Sequence, residues 1–223
     1  MKSNQAVGII AALPREVAPL VKGWKCEKLP GNRTVYLQGN VVVACAGMGP
    51  SQVALAVSAA RMLLPVTELI SVGLAGACNP ALRIGDVVRP RVVIDRNTGE
   101  RFLGEQHDSV LVSTSAILSI AEKEHLRIAY DAAAVDMEAA TVARLARAHG
   151  LQFRAIKVIS DTADFDMGGL SGFATEDGQF REGAFALHAA VRPWMWARLM
   201  GLAKNSRKAV TALNEAVRAE LDL

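Results

Sequence analysis

Ala134-Val135-Asp136-Met137-Glu138-Ala139-Ala140, followed further on by Val158-Ile159-Ser160-Asp161, is the pair of stretches on which the fold turns. The first reads as the opening of an alanine-rich helix that carries two carboxylates. The second reads as an apolar strand ending on Ser-Asp. Together they place one acid at a helix start and another where a buried strand leaves a sheet. In open α/β folds, ligand sites form at such strand ends. Two acids converging there can divide the work of holding a substrate and moving a proton. The pattern points to an enzyme.

The flanking sequence extends the α/β reading. Between Asp136 and His149 the periodicity is helical, with Val142, Leu145, Ala146 and His149 on one face and Arg144 and Arg147 on another. Carboxylates at its start, arginines near its end and Gly150 as a stop agree with dipole and capping preferences. Phe153 to Ile159 is the next strand. Upstream, Gly8 to Leu13 predicts a buried first strand running into a helix opened by Pro14. Thr34 to Gln38 and Val41 to Ala46 predict two strands joined through Gly39-Asn40. A helix from about Gln52 to Leu64 follows Gly47-Met48-Gly49-Pro50-Ser51. Glu68 to Val72 is a strand that ends in Gly73-Leu74-Ala75-Gly76-Ala77, and Asp86 to Asp95 is strand-like. Val110 to Val112 precedes a helix beginning near Thr114. Residues 162–182, rich in Gly, Asp, Ser and Thr, predict a loop, and 182–223 a helical tail with a break near Pro193. No repeat or linker interrupts residues 1–223, which read as a single domain.

Bulk composition narrows the function classes. The chain of 223 residues is 51% apolar and 21% charged, enough to build a full core. A formal net charge of +3, with its basic residues spread out, does not suit a nucleic-acid partner. Cys26, Cys45 and Cys78 show no Cys-x-x-Cys spacing and fit reduced thiols in a cytoplasm. His107, His125, His149 and His188 lack ligand spacing, so no metal is expected. The apolar run from Ala6 to Leu13 is too short to span a bilayer.

Three glycine-rich turns follow strands: Gly39-Asn40, Gly47-Met48-Gly49 and Gly73-Leu74-Ala75-Gly76. Each could let backbone amides approach a polar ligand or could simply turn tightly. Gly47-x-Gly49 lacks the third glycine of a dinucleotide fingerprint. Glu138 and Asp136 have an ordinary alternative as dipole-complementing acids, Asp161 as a helix cap, and Glu16 as a first-turn acid. What distinguishes Glu16, Glu138 and Asp161 is their shared placement at the ends of separate buried strands or at the starts of the helices those strands feed.

Five segments, in this order, give the chain a specific resemblance: Gly8-Ile9-Ile10-Ala11-Ala12-Leu13-Pro14-Arg15-Glu16-Val17, Gly73-Leu74-Ala75-Gly76, Leu82-Arg83-Ile84-Gly85-Asp86-Val87-Val88, Val135-Asp136-Met137-Glu138-Ala139 and Ile159-Ser160-Asp161-Thr162-Ala163-Asp164. From about residue 6 to 166 the chain resembles the superfamily of purine nucleoside phosphorylases and methylthioadenosine/S-adenosylhomocysteine nucleosidases. The resemblance implies a three-layer α/β/α sandwich around a twisted mixed sheet and cleavage of a nucleoside's N-glycosidic bond. It makes Asp161 the group that protonates or hydrogen-bonds purine N7. Met137 and Glu138 would line the ribose, and Glu16 would orient or deprotonate the attacking water. Gly73, Met48 and Ser160 join them as substrate-binding positions.

Leu74 and Ser71 depart from the pattern, standing where the superfamily carries a serine and, in phosphorylases, a phosphate-binding arginine. Lys157 replaces an arginine. These changes favour hydrolysis, although Arg15 or Lys157 could compensate and phosphate remains open as a co-substrate. No other cofactor is expected. The tail, Ala190-Val191-Arg192-Pro193-Trp194-Met195-Trp196-Ala197-Arg198-Leu199-Met200, is similar to the hopanoid-associated branch, which removes adenine from adenosylhopane. Trp194 and Trp196 then either guide such a lipid and touch a membrane surface, or pack on the core or a subunit interface. The resemblance implies a homo-oligomer, most simply a dimer, acting on a 5′-modified adenosine. Methylthioadenosine or S-adenosylhomocysteine is the alternative substrate, and a nucleoside-binding homologue without catalysis the alternative class.

Overall fold

The computed structural model describes residues 6–31, 33–104, 109–166 and 193–221. In chain order the elements are β1 (Ala6–Ala11), α1 (Pro14–Val17), β2 (Lys25–Leu29), β3 (Arg33–Gln38), β4 (Val41–Cys45), α2 (Pro50–Leu63), β5 (Val66–Ala77), β6 (Val87–Val88), β7 (Val92–Asp95), β8 (Arg101–Leu103), β9 (Val110–Ser113), α3 (Ile120–Tyr130), β10 (Ala132–Asp136), α4 (Ala139–Ala148), β11 (Gln152–Asp161) and α5 (Pro193–Leu221). All the strands belong to one mixed sheet in the order β2-β3-β4-β1-β5-β10-β9-β7-β8, with β11 on β5 and β6 on β11.

Strand alternation builds three layers, because successive side chains point to opposite faces. Val7, Ile9 and Ala11 of β1 and Val41, Val43 and Cys45 of β4 pack with Val17 and with Ala209, Leu213 and Val217 of α5 on one face. Ala6, Ile10, Val42 and Ala44 point the other way, onto Val53, Ala56, Val57 and Ala60 of α2 and Val142 and Ala146 of α4. The alanines of α2 and α4 bring those helices close to the sheet. Among the described residues, no helix is long and apolar enough to cross a membrane.

The register of β5 positions everything that follows. On one edge it pairs in parallel with β11 along its length, from Glu68↔Gln152 to Gly76↔Asp161. On the other edge β1 pairs in parallel up to Ile10↔Ser71, and β10 pairs antiparallel at Val135↔Gly76 and Ala134↔Ala77. β1 and β10 therefore run toward each other along the same edge. Between their last partners, Val72 to Ala75 have no strand partner on that edge in the described structure. The residues that leave β1 and β10 meet over this gap.

Four sequence expectations need correction. Gly73-Leu74-Ala75-Gly76 is not a turn after a strand but the interior of β5. Parallel pairing with β11 carries the strand through both glycines, and tertiary pairing outweighs their low strand propensity. The helix does not open at Asp136: Ala132–Asp136 is a strand and α4 begins at Ala139. An alanine run favours helix in isolation, but pairing with β9 and β5 overrides it. The helix expected from Thr114 begins at Ile120 instead. Thr114 bonds Ala116 and Asp136 through its hydroxyl, and Ser119 with Glu122 forms the capping box that starts α3. Asp86 to Asp95 is two short strands, β6 and β7, separated at Arg89–Arg91 around Pro90. The break expected near Pro193 coincides with the start of α5, and proline suits a first helical position. Most of the expected 162–182 loop, and the tail before Pro193, lie outside the described residues.

Candidate active site

Glu16 enters the gap from the β1 side. It is the third residue of the short α1, and its carboxylate accepts the Leu13 amide at 3.1 Å. Asn214 of α5 fixes this turn from behind: its Nδ2 donates to the Glu16 carbonyl and its Oδ1 accepts the Leu20 amide, each at 2.8 Å. Burial pushes the Glu16 carboxyl above the usual range, despite the Leu13 amide and the nearby Lys157 and Arg15 charges.

Asp136 and Glu138 enter from the β10 side, and their work differs. Asp136 is buried and structural: it accepts the Ala139 amide at 2.9 Å and the Ser113 hydroxyl at 2.5 Å. Its Oδ2 also lies 2.9 Å from Lys157 Nζ. Capping the start of α4 is the ordinary role that its position suggests. Glu138, one residue before α4, is only partly buried by exposed area, as is Met137. Protein atoms nevertheless crowd its carboxyl. Desolvation and the neighbouring Asp136 and Glu16 charges push its pKa up to about 7, against the pull of Lys157 and of a Gly49 backbone hydrogen bond.

That Gly49 contact brings in the third candidate segment. Gly47 and Gly49 take φ of +115° and +88°, so Gly47-Met48-Gly49 can fold tightly between β4 and α2. The Gly47 amide donates to Ala12 at the end of β1 at 2.9 Å. Met48 is partly buried in this link. Gly49 caps α2, so the positive end of that helix's dipole lies beside Glu138.

Lys157 lies beneath the gap, opposite Gly73 in the β5–β11 register, and its side chain is wholly buried. A Cβ on Gly73 would stand 3.5 Å from Lys157 Nζ and 3.8 Å from Glu16 Oε2. The absence of a side chain at Gly73 thus leaves room for Glu16 and Lys157 to approach each other there. Burial alone would lower the lysine pKa, but Asp136, Glu138 and Glu16 more than reverse this and keep it charged. The Asp136 contact is close without good hydrogen-bond alignment, so no described acceptor satisfies Nζ well. Ser71 is fully buried with an unpartnered hydroxyl, and Leu74 packs against the core beneath α5.

Asp161 stands apart from this cluster at the end of β11. Its Oδ1 accepts Ser160 Oγ at 3.0 Å, and its Oδ2 takes a hydrogen bond from Lys123 Nζ at 2.5 Å. Ser160 Oγ also reaches the Ala75 carbonyl at 3.3 Å. A Cβ on Gly76 would sit 2.9 Å from Asp161 Oδ2, so the carboxylate lies directly against β5. Gly73 and Gly76 are three residues apart on an extended strand, or about 10 Å. That span suits a ligand whose sugar sits at one end and whose planar base sits at the other.

The structure gathers Glu16, Glu138, Met48 and Gly73 around one gap, with Met137 beside Glu138, and puts Ser160 and Asp161 one ligand length away. Sequence reasoning missed Lys123 and Asn214. Lys123 carried no signal, because a helix expected from Thr114 places it well past the first turn. Asn214 carried none.

The Phosphorylase superfamily profile matches residues 6–117 and 98–192. A 5′-methylthioadenosine/S-adenosylhomocysteine nucleosidase of Buchnera aphidicola subsp. Baizongia pistaciae is 28% identical, over 74% of this chain and 82% of its own. Among solved structures, the fold is similar to that of a Helicobacter pylori 5′-methylthioadenosine/S-adenosylhomocysteine nucleosidase, with a TM-score of 0.73, 18% identity and 99% of both chains covered. It is equally similar to a futalosine hydrolase of Helicobacter pylori, with a TM-score of 0.72, 18% identity and 98% of both chains covered. An Arabidopsis thaliana 5′-methylthioadenosine nucleosidase gives a TM-score of 0.74 at 17% identity, over 99% of this chain and 96% of its own.

Proposed function

The chain belongs to the phosphorylase superfamily and is an enzyme of N-glycosyl bond cleavage; from that premise we propose that it hydrolyses a 5′-modified adenosine and releases adenine. The observation that carries this reading is that Glu16 lies at Gly73, near enough to Glu138 for their charges to interact, while Asp161 of β11 lies against Gly76, about 10 Å further along β5. Breaking the bond between C1′ and N9 leaves positive charge on the sugar and negative charge on the base. Carboxylates beside the ribose stabilise the first, and an acid at the base relieves the second.

Glu138 accepts hydrogen bonds from the ribose hydroxyls, with Met137 and Met48 packing against the sugar. Glu16 orients the attacking water and takes its proton, a task suited to a carboxyl raised by burial. Asp161 engages purine N7, and Ser160 holds its other oxygen.

Water is the better-supported nucleophile. A phosphate dianion needs unpaired cationic and hydroxyl donors. Lys157 is drawn to Asp136, Ser71 is sealed in the core, and Leu74 offers no donor. Among the described residues, the carboxylates Glu16, Asp136 and Glu138 outnumber the nearby cations Lys157 and Arg15.

Adenosylhopane is the preferred substrate, supported by the likeness of the tail to the hopanoid-associated branch. Its Trp194–Met200 stretch lies in the opening turns of α5. The Buchnera relative favours methylthioadenosine or S-adenosylhomocysteine as the second reading. Parallel assays of adenine release from adenosylhopane and methylthioadenosine separate the two, and release from methylthioadenosine alone would reject the lipid.

A further inference from the structure

Lys123 is a buried cation with three hydrogen bonds that the chemistry above does not use. It sits in the first turn of α3, where the helix dipole opposes a positive charge, and its side chain is only 3% exposed. Both features are costly for a lysine unless acceptors surround it. Its ammonium has three donors, and each finds one: Asp161 Oδ2 at 2.5 Å, the Thr162 carbonyl at 3.1 Å and the Phe165 carbonyl at 3.2 Å.

These acceptors are all in the segment that leaves β11. Lysine 123 therefore ties α3 to the strand end and to the turn after it, through the carboxylate that faces the base. Ser160 holds the opposite oxygen of the same carboxylate, and the backbone of Gly76 closes its back. Three constraints from three elements leave the Asp161 side chain a single orientation. Oδ2 accepts from Lys123, while Oδ1 can carry the proton that Asp161 donates to purine N7 and still accept from Ser160, so a base can share the group with Lys123.

We propose that Lys123 is a positioning residue for leaving-group departure, acting entirely through Asp161 by fixing where its carboxylate meets the purine. This rests on the nucleosidase reading and adds a residue to it. Misplacing a reacting group by about 1 Å can cost about 100-fold in rate.

The test is a double-mutant cycle with whichever of methylthioadenosine and adenosylhopane the wild type turns over. Lys123→Met should lower kcat about 100-fold and leave KM within about threefold, and Lys123→Arg should recover about tenfold of that loss. In an Asp161→Asn background, Lys123→Met should change kcat by less than about threefold, because its route of action is already gone. Should Lys123→Met fail to fold, Lys123→Gln, which keeps two donors without the charge, is read through the same cycle. Additive losses in the two backgrounds, or a fall in KM and kcat together, would overturn the positioning role. A wild-type rate in folded Lys123→Met would do so as well. A wild type that releases adenine from neither substrate would instead refute the nucleosidase reading, and this inference with it.

Discussion

Glu138 shows how one position is set by its surroundings. Its pKa of about 7, against an ordinary 4.5, means that the folded chain binds an extra proton between those pH values. Its contribution to stability is therefore fully present below about pH 4.5 and is lost as the pH rises through about 7. Unfolding by urea between pH 4.5 and 7.5 should show wild-type stability falling relative to Glu138→Gln. Ionisation also makes Glu138 a better acceptor for ribose hydroxyls, so kcat/KM should climb through about pH 7 in the wild type, and that limb should vanish in Glu138→Gln. At the base end, Asp161→Asn should lower kcat by about 100-fold or more, the scale of a lost general acid. Gly76→Ala should give a comparable loss, because its Cβ would stand 2.9 Å from Asp161 Oδ2 in a carboxylate with no room to retreat. If folded Gly76→Ala keeps wild-type kcat, Asp161 is not where the chemistry needs it.

At the scale of elements, the site exists because β1 and β10 approach each other along one edge of β5 and neither completes it. Helix α5 holds one side of that junction through Asn214. Asn214→Ala leaves the Leu20 amide without its buried acceptor and should cost about 1–3 kcal/mol in chemical denaturation. The carboxylates could be read from the sequence because each ends an apolar run, and that local pattern survives whatever surrounds it. The opposed approach of β1 and β10 could not be read. Its two halves are over a hundred residues apart, and the alanines of Ala132–Ala134 and the glycines of β5 suggest other local structures in isolation. Lys123 was hidden for the same reason: its partner Asp161 is 38 residues away, and only packing of α3 near β11 joins them.

For the whole molecule, β1 and β10 converge on β5 at a site where, among the described residues, carboxylates outnumber cations, above a lysine drawn to Asp136. Such a field favours a cationic sugar and opposes an incoming phosphate dianion. The proposal of hydrolysis thus rests on the charge balance of the assembled site rather than on any single residue. The measurement that bears most directly on this account is adenine release from adenosylhopane and methylthioadenosine, each with and without millimolar phosphate. The expected result is release from a 5′-modified adenosine at a rate indifferent to phosphate, with free sugar as the other product. Release that requires phosphate and yields a ribose 1-phosphate would contradict it.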